Sequence, residues 1–271
     1  MDNNFRRPLI ALVILLWFTT AGCQKAFEYS PYSSDLPSGY DQMTTEKNRS
    51  KLLASEKTEG SSFKVAVLAD THYFLEDLRK AVRHINDRTD IDFTIIAGDL
   101  CDQGLNKEFL FLYDELVKLE TPVFTVIGNH DYLANAELIY AKMFGSYNYV
   151  LDYRGFRFIF FDAVFWEKNG TPDFKWLEEQ LLLIPESHTP VLVSHIPPFG
   201  DQYDHQSEET HLDIVRKHRL PLSIHGHVHE YSYTQKYEDG TNYLVAPSAE
   251  KGVLCILSFE NGDYQLSVEN Y

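Results

Sequence analysis

Phe63-Lys64-Val65-Ala66-Val67-Leu68-Ala69-Asp70-Thr71-His72 carries an apolar run of strand length straight into a carboxylate and an imidazole. The pattern recurs. Apolar runs over 93–97, 123–127, 191–193 and 222–224 end in Gly98-Asp99, Gly128-Asn129-His130-Asp131, His195 and His225-Gly226-His227-Val228-His229. Helix-period stretches over 75–88 and 106–119 separate the first three runs, which predicts parallel βαβ units. In open α/β sheets the ligand crevice lies beyond the carboxyl ends of the strands, so all five tips are expected to face one cleft. Further strands are predicted over 147–153, 156–162, 231–237, 243–247, 252–259 and 264–268, with turns at Arg154-Gly155, Asp239-Gly240 and Asn261-Gly262. They predict a second, largely antiparallel sheet.

The residues collected at the tips point to metal chemistry. Asp70-x-His72 and His227-x-His229 have the spacing that puts two side chains on one side of an extended segment. The three cysteines, Cys23, Cys101 and Cys255, form no CxxC pair, which excludes a disulfide scaffold and a thiolate cluster. The candidate ligands are therefore Asp70, His72, Asp99, Asn129, His195, His227 and His229, an oxygen and nitrogen set suited to Mn, Fe, Zn or Co. Asp99 is the carboxylate placed to bridge. Two ions roughly 3.5–4 Å apart would hold a bridging hydroxide for in-line attack on phosphorus. Glycines at 98, 128 and 226 are expected to allow close backbone approach.

In this order, Asp70-x-His72, Gly98-Asp99-x-x-Asp102, Gly128-Asn129-His130-Asp131, His195 and Gly226-His227-x-His229 resemble the calcineurin-like metallophosphoesterase family over about residues 63–230. The resemblance implies an α/β fold of two facing mixed β-sheets flanked by helices, and two divalent or trivalent metal ions at the strand tips. It assigns Asp70, His72, Asp99 and His229 to one ion, and Asp99, Asn129, His195 and His227 to the other. It makes His130 the non-ligand group that contacts phosphate and protonates the leaving group, with Asp102 orienting it. Asp102 stands where purple acid phosphatases carry a tyrosine ligand, against that branch. Gln103-Gly104 and Asp131 stand where protein Ser/Thr phosphatases have Arg-Gly and Glu, against that one. The implied activity is hydrolysis of a small phosphate mono- or diester. The alternative is a non-catalytic surface lipoprotein of the same fold that binds metal or a phosphorylated ligand.

With 271 residues, 44% of them apolar, the chain can bury a large core. Its net charge of -16 opposes a broad grip on polymeric nucleic acid, and no basic groove is evident for a nuclease. Arg6 and Arg7, the apolar run over 9–18 and Thr20-Ala21-Gly22-Cys23 read as an export signal over 1–22, the run being shorter than the roughly 20 residues a bilayer span needs. The last four residues resemble the lipobox of bacterial lipoproteins, with Thr20 where Leu is usual. The resemblance implies a lipid on Cys23 and an exported, membrane-anchored protein in the periplasm or at the cell surface. Residues 23–62, rich in serine, read as the lipidated N-terminus and a tether, with some helical character over 48–57; residues 63–271 read as the metallophosphoesterase domain. His84, His188, His205, His211 and His218 read as surface residues and His225 as packing or a support to the site. Tyr73, Phe74 and Tyr203 read as rim packing or as stacking partners for a base. Cys101 and Cys255 read as buried thiols or as a pair in an oxidising compartment.

Overall fold

Along β1 (Phe63–Leu68), Val65 and Val67 face one side and Ala66 and Leu68 the other, and all four are fully buried. That double burial explains the unbroken apolar run: one face meets a second sheet, the other a layer of helices. The computed structural model describes residues 30–55 and 62–271; the leader over 1–22 and Cys23 lie outside the described residues. Two parallel crossovers build the first sheet, through α2 (Leu75–Asn86) to β2 (Phe93–Ile96) and through α3 (Asn106–Leu116) to β3 (Val123–Thr125). A further helix, α4 (Ala136–Met143), joins α2 and α3 on its outer face.

The second sheet holds β4 (Tyr149–Tyr153), β5 (Phe156–Phe160), β6 (Thr189–Val193), β7 (Leu222–His225), β8 (Ser232–Thr234) and β9 (Asn242–Val245), in the order β4-β5-β6-β7-β9-β8. Its outer face is covered by α5 (Phe174–Leu182) and α6 (His205–His218). The fold is thus two mixed sheets between two helical layers. One expectation is corrected. The second sheet is parallel through β5, β6, β7 and β9, and antiparallel only at its ends. The last two strands, β10 (Val253–Glu260) and β11 (Asp263–Asn270), belong to the first sheet, in the order β11-β10-β1-β2-β3. The reason lies in β10: Leu254 and Ile256 pack under the helices while Cys255, Leu257 and Phe259 pack between the sheets. A strand apolar on both faces belongs inside a sandwich, and here it sits between β1 and β11.

The same geometry decides the cysteines. Cys101 lies on the helical side of the first sheet and Cys255 between the sheets, so both are free, buried thiols. Residues expected to act as a spacer are seated on the body. Helix α1 (Thr44–Ala54) buries Leu52 in the inter-sheet core, and Asn48 Nδ2 donates to the Val123 carbonyl at 2.7 Å. Upstream, Asn106 donates to the carbonyls of Pro31 and Asp35. Among the described residues no helix is long and apolar enough to cross a membrane.

His211 is not a surface residue. Helix α6 turns it inward to full burial, where Tyr203 Oη lies 3.2 Å from Nδ1 and Nε2 has no hydrogen-bond partner. Burial pushes its pKa down to about 4. Between the ordinary histidine value of roughly 6.5 and about 4 the unfolded chain binds a proton that the folded chain refuses, so stability falls as pH falls through that window. The full effect is about 3 kcal/mol. In His211→Phe, urea unfolding measured from pH 7 to 4 is expected to show a shallower loss, by about one proton's worth of slope.

Candidate metal centre

The strand tips do not continue as extended chain. Asp70, His72, Asp99, His227 and His229 all have positive φ, from 39° to 70°. Their clustering on one side therefore comes from tight turns, not from the period of two suggested by the spacing. Such conformations cost a non-glycine residue roughly 1–2 kcal/mol each, so the surroundings must hold them. Backbone bonds do so: Asp70 N donates to the Gly98 carbonyl at 3.0 Å, His72 N to that of Asp99 at 3.1 Å, and Ser248 N to that of His229 at 3.2 Å. The Asp70 carboxylate accepts His227 N at 3.1 Å. Close approach is needed at all three expected glycines, a Cβ on Gly226 standing 2.8 Å from Asp70 Oδ2. A Cβ on Gly98 would stand 2.6 Å from His195 Cβ, and one on Gly128 2.2 Å from Asp99 Oδ1.

Asp131 locks two of the tips together. Buried completely, its carboxylate accepts the N–H groups of Leu100 (2.9 Å), Cys101 (3.1 Å) and Gly128 (2.9 Å). Asp131→Ala leaves three buried donors unmade, each costing about 1–3 kcal/mol, so a loss of at least about 3 kcal/mol in chemical denaturation is expected.

All seven expected ligands meet. Ligand atoms of Asp70, His72, Asp99 and His229 lie within 4.8 Å of one another, and so do those of Asp99, His195 and His227. Asn129 Oδ1 lies 3.1 Å from His227 Nδ1. Asp99 is common to both groups. The donors suit cations: His195 Nδ1 donates to the Ala97 carbonyl at 2.7 Å, leaving the buried Nε2 without a hydrogen bond although Asp99 Oδ2 is 3.1 Å away. On the other side His72 Nε2 and His229 Nε2 face each other at 3.2 Å. Ring nitrogens and carboxylate oxygens converging in this way fit a shared cation of the oxygen- and nitrogen-binding kind.

The acids of the site draw positive charge onto its imidazoles, a proton standing where a cation would stand. Burial opposes charge on His195, yet Asp99 and Asp70 overcome it and push the imidazole up to about 9. Burial likewise pushes the Asp99 carboxyl up, but His195, His130 and His72 outweigh it and hold it well below the usual carboxylate range. His72 goes down through burial, while His229 goes up through its contact with Asp70.

His130 sits beside this cluster, its ring centroid 4.7 Å from that of His72, and its backbone N–H donates to Asp99 Oδ1 at 2.9 Å. Asp102 orients it differently from expectation. The Asp102 backbone carbonyl, not the carboxylate, accepts His130 Nδ1–H at 2.6 Å; the carboxylate accepts from Gln103 Nε2 at 2.7 Å and lies 3.6 Å from His72 Nδ1. Of the aromatics, Tyr73 is 64% exposed with its ring 4.6 Å from that of Phe74 between centroids, while Tyr203 packs on Phe165. His225 packs behind the site, its ring nitrogens facing Ser194 and Ser223. Two acids escaped the sequence reading: Asp201 Oδ1, 2.9 Å from His227 Nε2, and Glu167, which accepts from Asn129. Neither belongs to a motif, and both stand on loops.

Residues 63–231 match the family model of the calcineurin-like phosphoesterases, well over half of the chain. The chain belongs to that family. Among similar calcineurin-like proteins, a probable glycerophosphodiester phosphodiesterase of Arcobacter nitrofigilis is 28% identical over 204 residues, 63% of this chain and 73% of the relative. A 3',5'-cyclic-nucleotide phosphodiesterase of a Nostoc species is 26% identical over 213 residues, 73% of this chain and 74% of the relative. The structure of a purple acid phosphatase from yellow lupin superposes with a TM-score of 0.63 at 15% identity, over 78% of this chain and 52% of that one. The chain spans about half of the plant protein, and at that identity the likeness is one of fold.

Proposed function

We propose that this protein is a metal-dependent phosphohydrolase that cleaves a small phosphodiester at a dinuclear centre. The observation that carries the reading is the sharing of Asp99 between two converging donor groups, with His130 alongside. Asp70, His72, Asp99 and His229 would hold one ion, and Asp99, Asn129, His195 and His227 the other. Such a pair supplies Lewis acidity toward the phosphoryl oxygens and acidifies water for attack on phosphorus. The chain's own residues do the rest. A carbonyl only accepts, so the Asp102 oxygen keeps a proton on His130 Nδ1 and leaves Nε2 to deliver a second one to the departing alkoxide. Asp99 Oδ1 holds the backbone of His130 in place.

The preference for a diester comes from charge. Among the described residues, every ion pair made by Asp70, Asp99, Asp102 and Asp201 is with a histidine. None of these pairs involves a lysine or arginine, so the ions themselves would have to receive a phosphoester's charge, one negative charge for a diester against two for a dianionic monoester. The two diesterases named above support the same direction. The test is a panel of diesters, cyclic nucleotides and monoesters offered to the Mn-loaded protein. Hydrolysis of diesters above monoesters is expected; full metal loading with no hydrolysis of any would favour the non-catalytic binding reading. Export and anchoring through Cys23 belong to the proposal too, on the strength of the apolar run over 9–18 and Ala21-Gly22-Cys23. Labelled fatty acid is expected to enter the wild type and not Cys23→Ser.

A further inference from the structure

Glu167 lies between β5 and α5, outside every motif, yet it touches a candidate ligand. Asn129 Nδ2 donates to Glu167 Oε1 at 3.2 Å, and Gln202 Nε2 donates to Glu167 Oε2 at 2.8 Å. Gln202 is itself fixed: it is 4% exposed, and its Oε1 accepts the N–H groups of Phe165 (3.0 Å) and Trp166 (3.2 Å). An ionised carboxylate can only accept hydrogen bonds. The end of the Asn129 amide that faces Glu167 must therefore be the NH2, which leaves Oδ1 toward His227 Nδ1, 3.1 Å away. Without that acceptor the two ends of the amide, nearly equal in size, have no such discrimination.

We propose that Glu167 is a positioning residue: held by Gln202, it fixes the Asn129 amide with its oxygen turned into the Asp99–His195–His227 group, and so sets that group's affinity for its ion. The inference rests on the metal-centre reading above. Glu167 acts through Asn129 and does not meet the ion, since its carboxylate takes up the amide nitrogen. Partners of this kind behind a metal ligand are worth about 10–100-fold in metal affinity.

Equilibrium Mn²⁺ binding to the full chain, read against a chromophoric chelator, tests it. Wild type is expected to bind two ions, and Glu167→Ala to bind one of them about 10–100-fold more weakly with the other unchanged. Because Glu167→Ala also strips Gln202 Nε2 of its acceptor, the metal-free protein is expected to unfold at a lower temperature; a merely structural role would weaken both ions alike rather than one. Glu167→Gln keeps one acceptor oxygen for the two donors Asn129 Nδ2 and Gln202 Nε2, and is expected to fall between wild type and Glu167→Ala. In an Asn129→Ala background, Glu167→Ala should add nothing further. Unchanged affinities in Glu167→Ala, equal weakening in Glu167→Gln and Glu167→Ala, or an undiminished effect without Asn129 would each overturn the proposal. A wild type that binds no ion would overturn the metal-centre reading itself, a result distinct from these.

Discussion

Asp99→Asn is expected to bring hydrolysis down by about 10³-fold or more and to leave the protein unable to hold two ions together. The substitution is close to isosteric, and the amide oxygen can keep accepting the His130 N–H that Asp99 Oδ1 accepts at 2.9 Å. What disappears is the second oxygen, the one 3.1 Å from His195 Nε2 and 3.8 Å from His72 Nε2. An NH2 there offers no lone pair to a cation. The several kcal/mol of charge stabilisation that a metal pair contributes to a transition state correspond, at about 1.4 kcal/mol per tenfold, to the size of the loss. Elemental analysis and turnover of the same sample give the answer. Two ions per chain with near-normal turnover would contradict the bridging role.

His130→Ala should behave differently, keeping both ions and losing turnover. A proton delivered to a departing oxygen is worth about 10²–10⁴ in rate, and the need for it grows with the basicity of that oxygen. An alkanol-leaving diester is therefore expected to suffer the whole loss, while a nitrophenyl diester, whose leaving group departs readily as an anion, suffers much less. Since His130 makes its backbone contact to Asp99 through N–H, the truncation leaves that bond in place. Equal losses on both substrates would move His130 from proton delivery to phosphate binding.

The motif residues were legible because each follows a run of unmistakable strand character, and chain order alone brought seven donors to one end of the fold. Less was legible where pairing is long-range. The alternation in 253–260 marks a strand but does not say that its neighbours are β1 and β11. Backbone handedness at Asp70, His72, Asp99, His227 and His229 was hidden as well, because the spacing of two fits a strand and a tight turn alike. Glu167, Gln202 and Asp201 left no trace in the pattern; they matter through one atom each, on loops with no periodicity. His211 misled because the polar neighbours in His205–His218 suggest a solvated helix, whereas its own position falls on the inward stripe with Leu212 and Val215.

The fastening of residues 31–35 to Asn106 has a positional corollary. Asn106 stands four positions beyond Asp102, so the polypeptide joins the body beside the loop that carries Asp102. Only seven peptide steps separate Ser30 from Cys23, a leash of at most about 25 Å. If Cys23 carries the lipid proposed above, that leash keeps the body close to the bilayer, and compounds held near headgroups fall within its reach.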